Sequence, residues 1–378
     1  MSRLAGTLAA GDARWGFLIR FLVVAAAMLL LAPAVLSDFR LSLLAKFLCF
    51  AIVAVGIGLA WGQGGMLVLG QGLFFGLGGY SMGMYMKLEE AGPGQLPDFM
   101  VWSGVESLPA VWEPFRHAWF ALPMAVLLPM AVAAVLGTLV FRQRVRGAYF
   151  AILSQGLAAA FVIVLVGQQG LTGGTNGLTN FTQLFGLDLT AQANASILYT
   201  MVALGLLAVF LIARQLVASR YGRVLVAVRD SEDRVRFLGY DPTRIKVVAY
   251  TAAAGMAGLA GAMFVPIVGI ISPALLGILP SIEMVIWVAL GGRAVLAWAA
   301  GGAVLVNWVK TGLSERFPSG WLYLFGMVFV VVIAFAPKGM AGIGEYVRAG
   351  LGRPGAVRLG PRARDRATAR DRAAQEPA

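Results

Sequence analysis

An all-α polytopic membrane protein is the fold class that the sequence predicts, and three observations predict it. Of the 378 residues 59% are hydrophobic and only 13% charged, with a mean hydropathy of +0.81, far outside the soluble globular range. Apolar runs long enough to cross a bilayer recur along the whole chain. The net charge of +12 sits in three stretches, with +3 in residues 142–147, +4 in 214–246 and +5 in 337–378. Charge confined to a few short connections marks orientation in a bilayer, so a phosphate-binding face for nucleic acid is excluded.

The elements follow in order. Residues 17–36 are flanked by Arg14 and Arg20 on one side and Asp38 on the other. Ala32-Pro33-Ala34 has the look of a leader cleavage site, but the apolar run is long and another follows at once, which predicts an uncleaved first helix. Residues 41–60 form the second span. The glycine-rich stretch 61–86 is the third, either packing closely through Gly72/Gly76 and Gly79/Gly83 or lining a cavity as a broken helix.

Residues 87–118 hold four prolines and five acids against two bases, which predicts a loop facing away from the cytoplasm, with Trp102, Trp112 and Trp119 near an interface. Residues 120–141 return to Arg142, Arg144 and Arg146. Residues 148–167 cross again, carrying Ser154 and Gln155, and lead to the uncharged polar loop 168–181. Residues 196–213, 247–269, 282–290, 297–309 and 322–336 complete ten segments. Two of these are short, so roughly eight to ten crossings are expected.

This gives one transmembrane domain, residues 17–336. It lies between a cytoplasmic N-terminus, 1–16, and a basic cytoplasmic tail, 337–378, whose last roughly 30 residues lack the apolar content to fold. The basic stretches and both termini fall on one side, which the positive-inside rule assigns to the cytoplasm.

Several chemistries are excluded. No G-x-x-x-x-G-K-[ST] phosphate loop, no G-x-S-x-G elbow and no H-E-x-x-H motif occurs. One histidine, His117, and one cysteine, Cys49, predict neither metal site nor disulfide. No cofactor and no catalytic residue is expected. Glu283 follows Ser281 closely and reads either as an acid in a capped first helical turn or as a gate or substrate contact. Lys46 and Lys310 are near enough to segment ends to snorkel.

The charged island 214–246 stands out between two apolar segments. A helix over 224–238 would align Val224, Ala227, Val228, Ser231, Val235 and Leu238 in one stripe able to rest on the bundle. Val226 and Phe237 would face elsewhere, as a docking surface for another protein. Gly239 is placed to end the helix, and Asp241-Pro242 to cap and start the next.

These residues resemble a family, the permeases of ATP-binding-cassette (ABC) importers for branched-chain amino acids, and within it the urea permease type. The resemblance runs from about Phe39 to Gly344. It rests on LGQGLFFGLGGYSMGMY, LPDFMVW, RGAYFAILSQGL, LTGGTNGLTNF, GLAGAMFVPIVGIISP, SIEMVIWVALGGR and APKGMAGI; LPDFMVW, VPIVGIISP and SIEMVIW favour urea. It implies that 214–246 is the loop that couples to an ATPase. Glu232 and Leu238-Gly239 match its pattern, while Arg234 and Val235 replace the usual alanines, so the coupling set is Val226, Glu232, Arg234, Val235, Phe237, Leu238 and Gly239. The implied partners are a second homologous permease, two cytoplasmic ATPase subunits and a periplasmic binding protein, in a bacterial inner membrane.

Urea, neutral with N–H donors and one carbonyl acceptor, suits a path of uncharged polar groups. Gln71, Tyr80, Gln155, Thr172, Asn176 and Glu283 are the candidates. The alternatives are a branched-chain amino acid or short amide as the cargo or, in a different class, a stand-alone channel or secondary transporter.

Overall fold

The computed structural model describes residues 16–189, 194–317, 320, 323, 326–327 and 339–342. All but the last residue of the expected N-terminal segment 1–16, most of the segment 322–336 and nearly all of the tail 337–378 lie outside these. The described chain is mainly helical. Its long elements are α1 (Gly16–Val35), α2 (Asp38–Gln63) and α3 (Gln71–Ala91), then α4 (Ala118–Arg142), α5 (Ala148–Gly167) and α6 (Ala195–Ala218). Between α5 and α6 lie three two-residue strands, β1 (Leu178–Thr179), β2 (Gln183–Leu184) and β3 (Leu187–Asp188). After α6 come the short helices α7 (Arg220–Asp230) and α8 (Glu232–Phe237), then α9 (Pro242–Val268), β4 (Ile270–Ile271), α10 (Ile278–Gly291) and α11 (Leu296–Arg316).

Seven helical segments among the described residues are long and apolar enough to cross a membrane: α1, α2, α4, α5, α6, α9 and residues 273–291. The two long helices outside that set, α3 and α11, are each 21 residues, about 31 Å at 1.5 Å per residue. Glycine in α3 and polar side chains in α11 lower their hydropathy, while α3 is almost wholly buried. Burial by other helices, and not contact with lipid, keeps such a segment in place.

The centre of the bundle is α2, α3 and α9, with α4, α5, α6, α10 and α11 packed around them. In α2 the apolar residues from Leu48 to Ile57 are nearly all buried over every face, which fits a helix enclosed by others. Cys49 is buried in this packing. Glycine sets the closest approach, between α3 and α9: a Cβ on Gly78 would lie 2.0 Å from the Gly258 carbonyl oxygen, and one on Gly261 1.9 Å from that of Phe75. Backbone contact of this kind supplies dispersion attraction where lipid offers no hydrophobic drive. The expected Gly72/Gly76 and Gly79/Gly83 pairs act differently. Gly72 and Gly76 accommodate Leu276, and Gly79 and Gly83 accommodate Ile271.

Residues 64–70, between α2 and α3, are non-helical yet mostly buried, and the hydroxyl of Ser154 on α5 accepts from the Leu69 amide at 3.1 Å. Irregular backbone inside a bundle needs such partners because no water is there to supply them. The glycine-rich stretch is therefore broken at 64–70, within its first part, and the break is packed in the bundle.

Two polar ends result. At one, Gln63 donates to the Ala294 carbonyl at 2.9 Å, and Arg142, Arg144, Arg146 and residues 219–241 gather nearby. At the other, β1 pairs antiparallel with β4, Leu178 opposite Ile271. There the buried Lys87 ammonium is held by Glu90 (3.2 Å), Asp98 (3.4 Å) and the Asn180 carbonyl (3.1 Å). Trp102 and Trp119 are exposed at this end, and His117 stacks on Trp119.

Candidate functional site: a clamped corner and a charged chamber

The island forms a corner of two helices joined at Ser231. Ser219 is extended and its hydroxyl accepts from the Gly222 amide at 3.3 Å, capping α7. Gly222, Leu225 and Val228 are the buried face of α7. The Tyr221 hydroxyl donates to Ile245 at 2.7 Å, and Arg229 donates to the Gly62 carbonyl at 2.8 Å, tying α7 to α9 and to the end of α2.

Ser231 then turns extended (φ −160°) and resets the helical phase. The continuous stripe expected over 224–238 is therefore corrected. Leu225 is buried in place of Ala227, which is exposed, and Leu238 points outward. Val226 is half-buried, and Val235 is buried against the bundle, so neither presents a free face.

Glu232 turns inward. With only 10% of its side chain exposed, its carboxylate meets Arg146 Nε at 3.1 Å, Arg236 at 3.4 Å and the Lys246 ammonium. Asp233 takes Arg146 at 3.2 Å and Arg236 at 3.5 Å. The hydrogen bond from Arg146 holds the Asp233 carboxyl below the usual carboxylate range, and the same bond raises the guanidinium of Arg146. Two carboxylates thereby join α8, the α4–α5 loop and the N-terminal part of α9, and both lie in the first turn of α8, where the dipole favours them. Gly239 (φ +86°) ends the corner in a conformation that suits glycine, and Asp241 Oδ1 accepts from the Thr243 amide at 2.9 Å with Pro242 at the first helical position, as the sequence predicts.

What this scaffold presents outward is compact. Phe237 is 92% exposed, Leu238 76% and Tyr240 54%, with Arg234 beside them. Tyr240 was not among the sequence candidates; its place directly after Leu238-Gly239 was the available signal.

The second locus is a chamber of about 420 Å³ between α2, α9, α10 and α11. Phe50, Phe75, Phe264 and Trp287 wall it, with Phe50 and Trp287 centroids 4.7 Å apart. Lys46, Glu283, Asn307 and Lys310 open on it, and the buried Trp287 Nε1 has no acceptor. Glu283 binds the Lys310 ammonium through both oxygens, at 2.7 and 2.9 Å. The capped-turn expectation for Glu283 is corrected accordingly. α10 starts at Ile278 after Gly277, and the Ser281 hydroxyl accepts from the Gly72 amide at 3.1 Å instead of capping. Lys310 does not snorkel, because a carboxylate is within reach.

The other path candidates do not converge here. Gln71 is buried and donates to the Ala253 carbonyl at 3.0 Å, leaving its own oxygen without a donor. Tyr80 is buried with an unpartnered hydroxyl, and Gln155 is half-buried on α5. Thr172 is buried and bonded to the Leu165 and Gln168 carbonyls, closing the end of α5. Asn176 is exposed in the loop before β1. Among the described residues no group of three His, Cys, Asp or Glu side chains comes together as metal ligands.

Residues 39–336 match the family described as the branched-chain amino acid transport system permease component. The chain is 26% identical over 346 residues to the high-affinity branched-chain amino acid transport system permease protein LivM of Salmonella typhimurium, covering 86% of this chain and 74% of that one. LivM of Escherichia coli K12 matches to the same extent. The autoinducer 2 import system permease protein LsrC of Escherichia coli O9:H4 is 30% identical over 155 residues, 38% of this chain and 45% of LsrC. No solved structure matches. With a match over most of its length and apolar helices to carry it across the bilayer, this chain belongs to the branched-chain amino acid transport permease family and is a multi-pass membrane subunit of an ABC importer.

Proposed function

We propose that the corner at residues 219–241 is where a separate cytoplasmic ATPase drives this permease. The observation that carries the reading is the exposed cluster Phe237, Leu238 and Tyr240 on a scaffold clamped by Glu232 and Asp233. Exposed aromatic and aliphatic anchors on a rigid mount are what a partner pocket grips, and the chain has no phosphate loop of its own. The excess of Arg and Lys assigns this end to the cytoplasm. The opposite end, around β1 and β4, then faces the periplasm and receives cargo from a binding protein. A second, homologous permease completes the path. Arg234 borders the docking surface, Gly239 sets its turn, and Val226 and Val235 support it from beneath.

The cargo we propose is urea. Two of the segments that favour it lie at the periplasmic end, where LPDFMVW brings Asp98 to Lys87 and VPIVGIISP supplies β4, while SIEMVIW lies deeper, with Ser281 bonded to Gly72 at the far end of α3 from Lys87. At the periplasmic end Lys87 is matched by Glu90 and Asp98, which leaves amide, hydroxyl and backbone groups to meet a neutral solute. A second reading, a branched-chain amino acid, is favoured by the chamber at Glu283, where ammonium, carboxylate and aromatic walls would suit a zwitterion with an apolar side chain.

Proteoliposomes containing the permease pair, the ATPases and the binding protein test both. ATP-dependent uptake of labelled urea, undiminished by excess leucine, is expected. Leucine uptake without urea uptake replaces the cargo, and urea flux through this chain alone, without ATP, overturns the importer reading.

A further inference from the structure

We propose that the groove between α1 and the rest of the bundle is a binding site for one anionic phospholipid of the leaflet at the basic end. α1 rests on its neighbours along one half-buried stripe and is pinned at two places. At one, Phe21 stacks on Phe210 of α6 and the Arg214 guanidinium lies over the Phe17 ring; toward the other, Tyr199 donates to the Met28 carbonyl at 2.9 Å. Between these points α1, α2, α6 and α11 border an open groove of about 1080 Å³, walled almost entirely by apolar side chains.

Its charged lining is confined to one mouth. Arg20, Arg214 and Gln63 are there, Gln63 being the residue that reaches Ala294 at the basic end, and no carboxylate lines the groove. Arg214 stacks on Phe17, one helical turn from Arg20 on α1, so both guanidiniums serve the same mouth. A phosphodiester at the mouth with acyl chains in the groove matches both the charge of Arg20 and Arg214 and the apolarity of the walls.

The full-length protein in detergent is titrated with dioleoyl phosphatidylglycerol or dioleoyl phosphatidylcholine, and bound lipid is counted by native mass spectrometry. One phosphatidylglycerol is expected to bind with about 30-fold preference, the combined effect of two basic side chains on an anionic headgroup. Arg20→Gln/Arg214→Gln should abolish the preference and Arg20→Lys/Arg214→Lys should keep it. Gly301→Phe, at an α11 position where a Cβ meets nothing within 4 Å, should fill the groove and weaken both lipids. Equal affinity for the two lipids in the native protein, or an unchanged preference in the doubly neutralised variant, overturns the proposal. A photo-crosslinking side chain at Leu305, used in membranes, should label lipid; capture of residues 343–378 or of another membrane subunit would identify a protein occupant and overturn it as well.

Discussion

Replacing Glu232 by Gln tests whether the corner is a clamped lever or a direct contact. The side chain keeps its shape and loses its charge, so Lys246, whose side chain is 11% exposed, is left without its carboxylate. Arg146 and Arg236 retain Asp233. Removing one partner of a largely buried ion pair costs about 3–5 kcal/mol; since two of the three cations keep a partner, the lower figure of about 3 kcal/mol applies. Each 1.4 kcal/mol being tenfold, local opening of α8 should rise about 150-fold. Hydrogen exchange of the backbone amides of residues 232–240 reads that opening directly.

Lys246→Met in the same chain removes the stranded cation, so the double variant should recover roughly 2 kcal/mol of the loss, a coupling energy that a double-mutant cycle reports. ATPase subunits should still copurify, because Phe237 and Leu238 are untouched, while ATP-driven uptake falls. An exchange rate raised less than about threefold, or coupling below roughly 0.5 kcal/mol, would refute the clamp. Loss of copurification with unchanged exchange would show that Glu232 instead meets the ATPase directly.

Other outcomes follow from the same geometry. Phe237→Asp with Leu238→Asp should leave thermal stability in detergent unchanged and weaken ATPase association by about 30-fold or more, the cost of losing a hot spot of about 2 kcal/mol, measured by pull-down. Gly261→Leu forces side-chain atoms into the Phe75 carbonyl and should destabilise the bundle by about 1–3 kcal/mol, seen as a lowered melting temperature. Lys310→Met strands Glu283 at a cost of about 3 kcal/mol, and adding Glu283→Gln should restore most of it by the same assay. The Asp233 carboxyl is held below its unfolded value, so its contribution is present above about pH 4 and is lost as pH falls through the lower folded value. Protection of α8 against exchange should therefore be flat down to about pH 4 and decline below it, after correction for the intrinsic rate.

Composition and charge placement were sufficient to read the helical membrane architecture and the island, because bilayer insertion depends on apolar length and on where Arg and Lys fall. The turn chemistry was legible too. Gly239 and Asp241-Pro242 act through their own backbone neighbourhood, so sequence proximity reveals them. The helix 224–238 was misread because periodicity assumes an unbroken phase, and nothing local announces that Ser231 is extended.

The candidate path shows the limit most clearly. Gln71 and Thr172 are polar residues in apolar settings, a pattern that suggests a lining, yet each satisfies backbone groups, Gln71 on the distant α9 and Thr172 at the end of the neighbouring α5. In lipid an unmet amide is expensive, so polar side chains are recruited to structure as readily as to cargo. Lys310 and Glu283 likewise stand 27 positions apart and 2.7 Å from each other. By itself the sequence determined that this chain is a bundle of membrane helices with a charged island between two of them, since those properties are sums over local stretches. Only the tertiary structure decided that Glu232 meets three cations, that Glu283 has a lysine partner, and that Phe237, Leu238 and Tyr240 are what remains exposed, because pairing and burial depend on which distant helices meet.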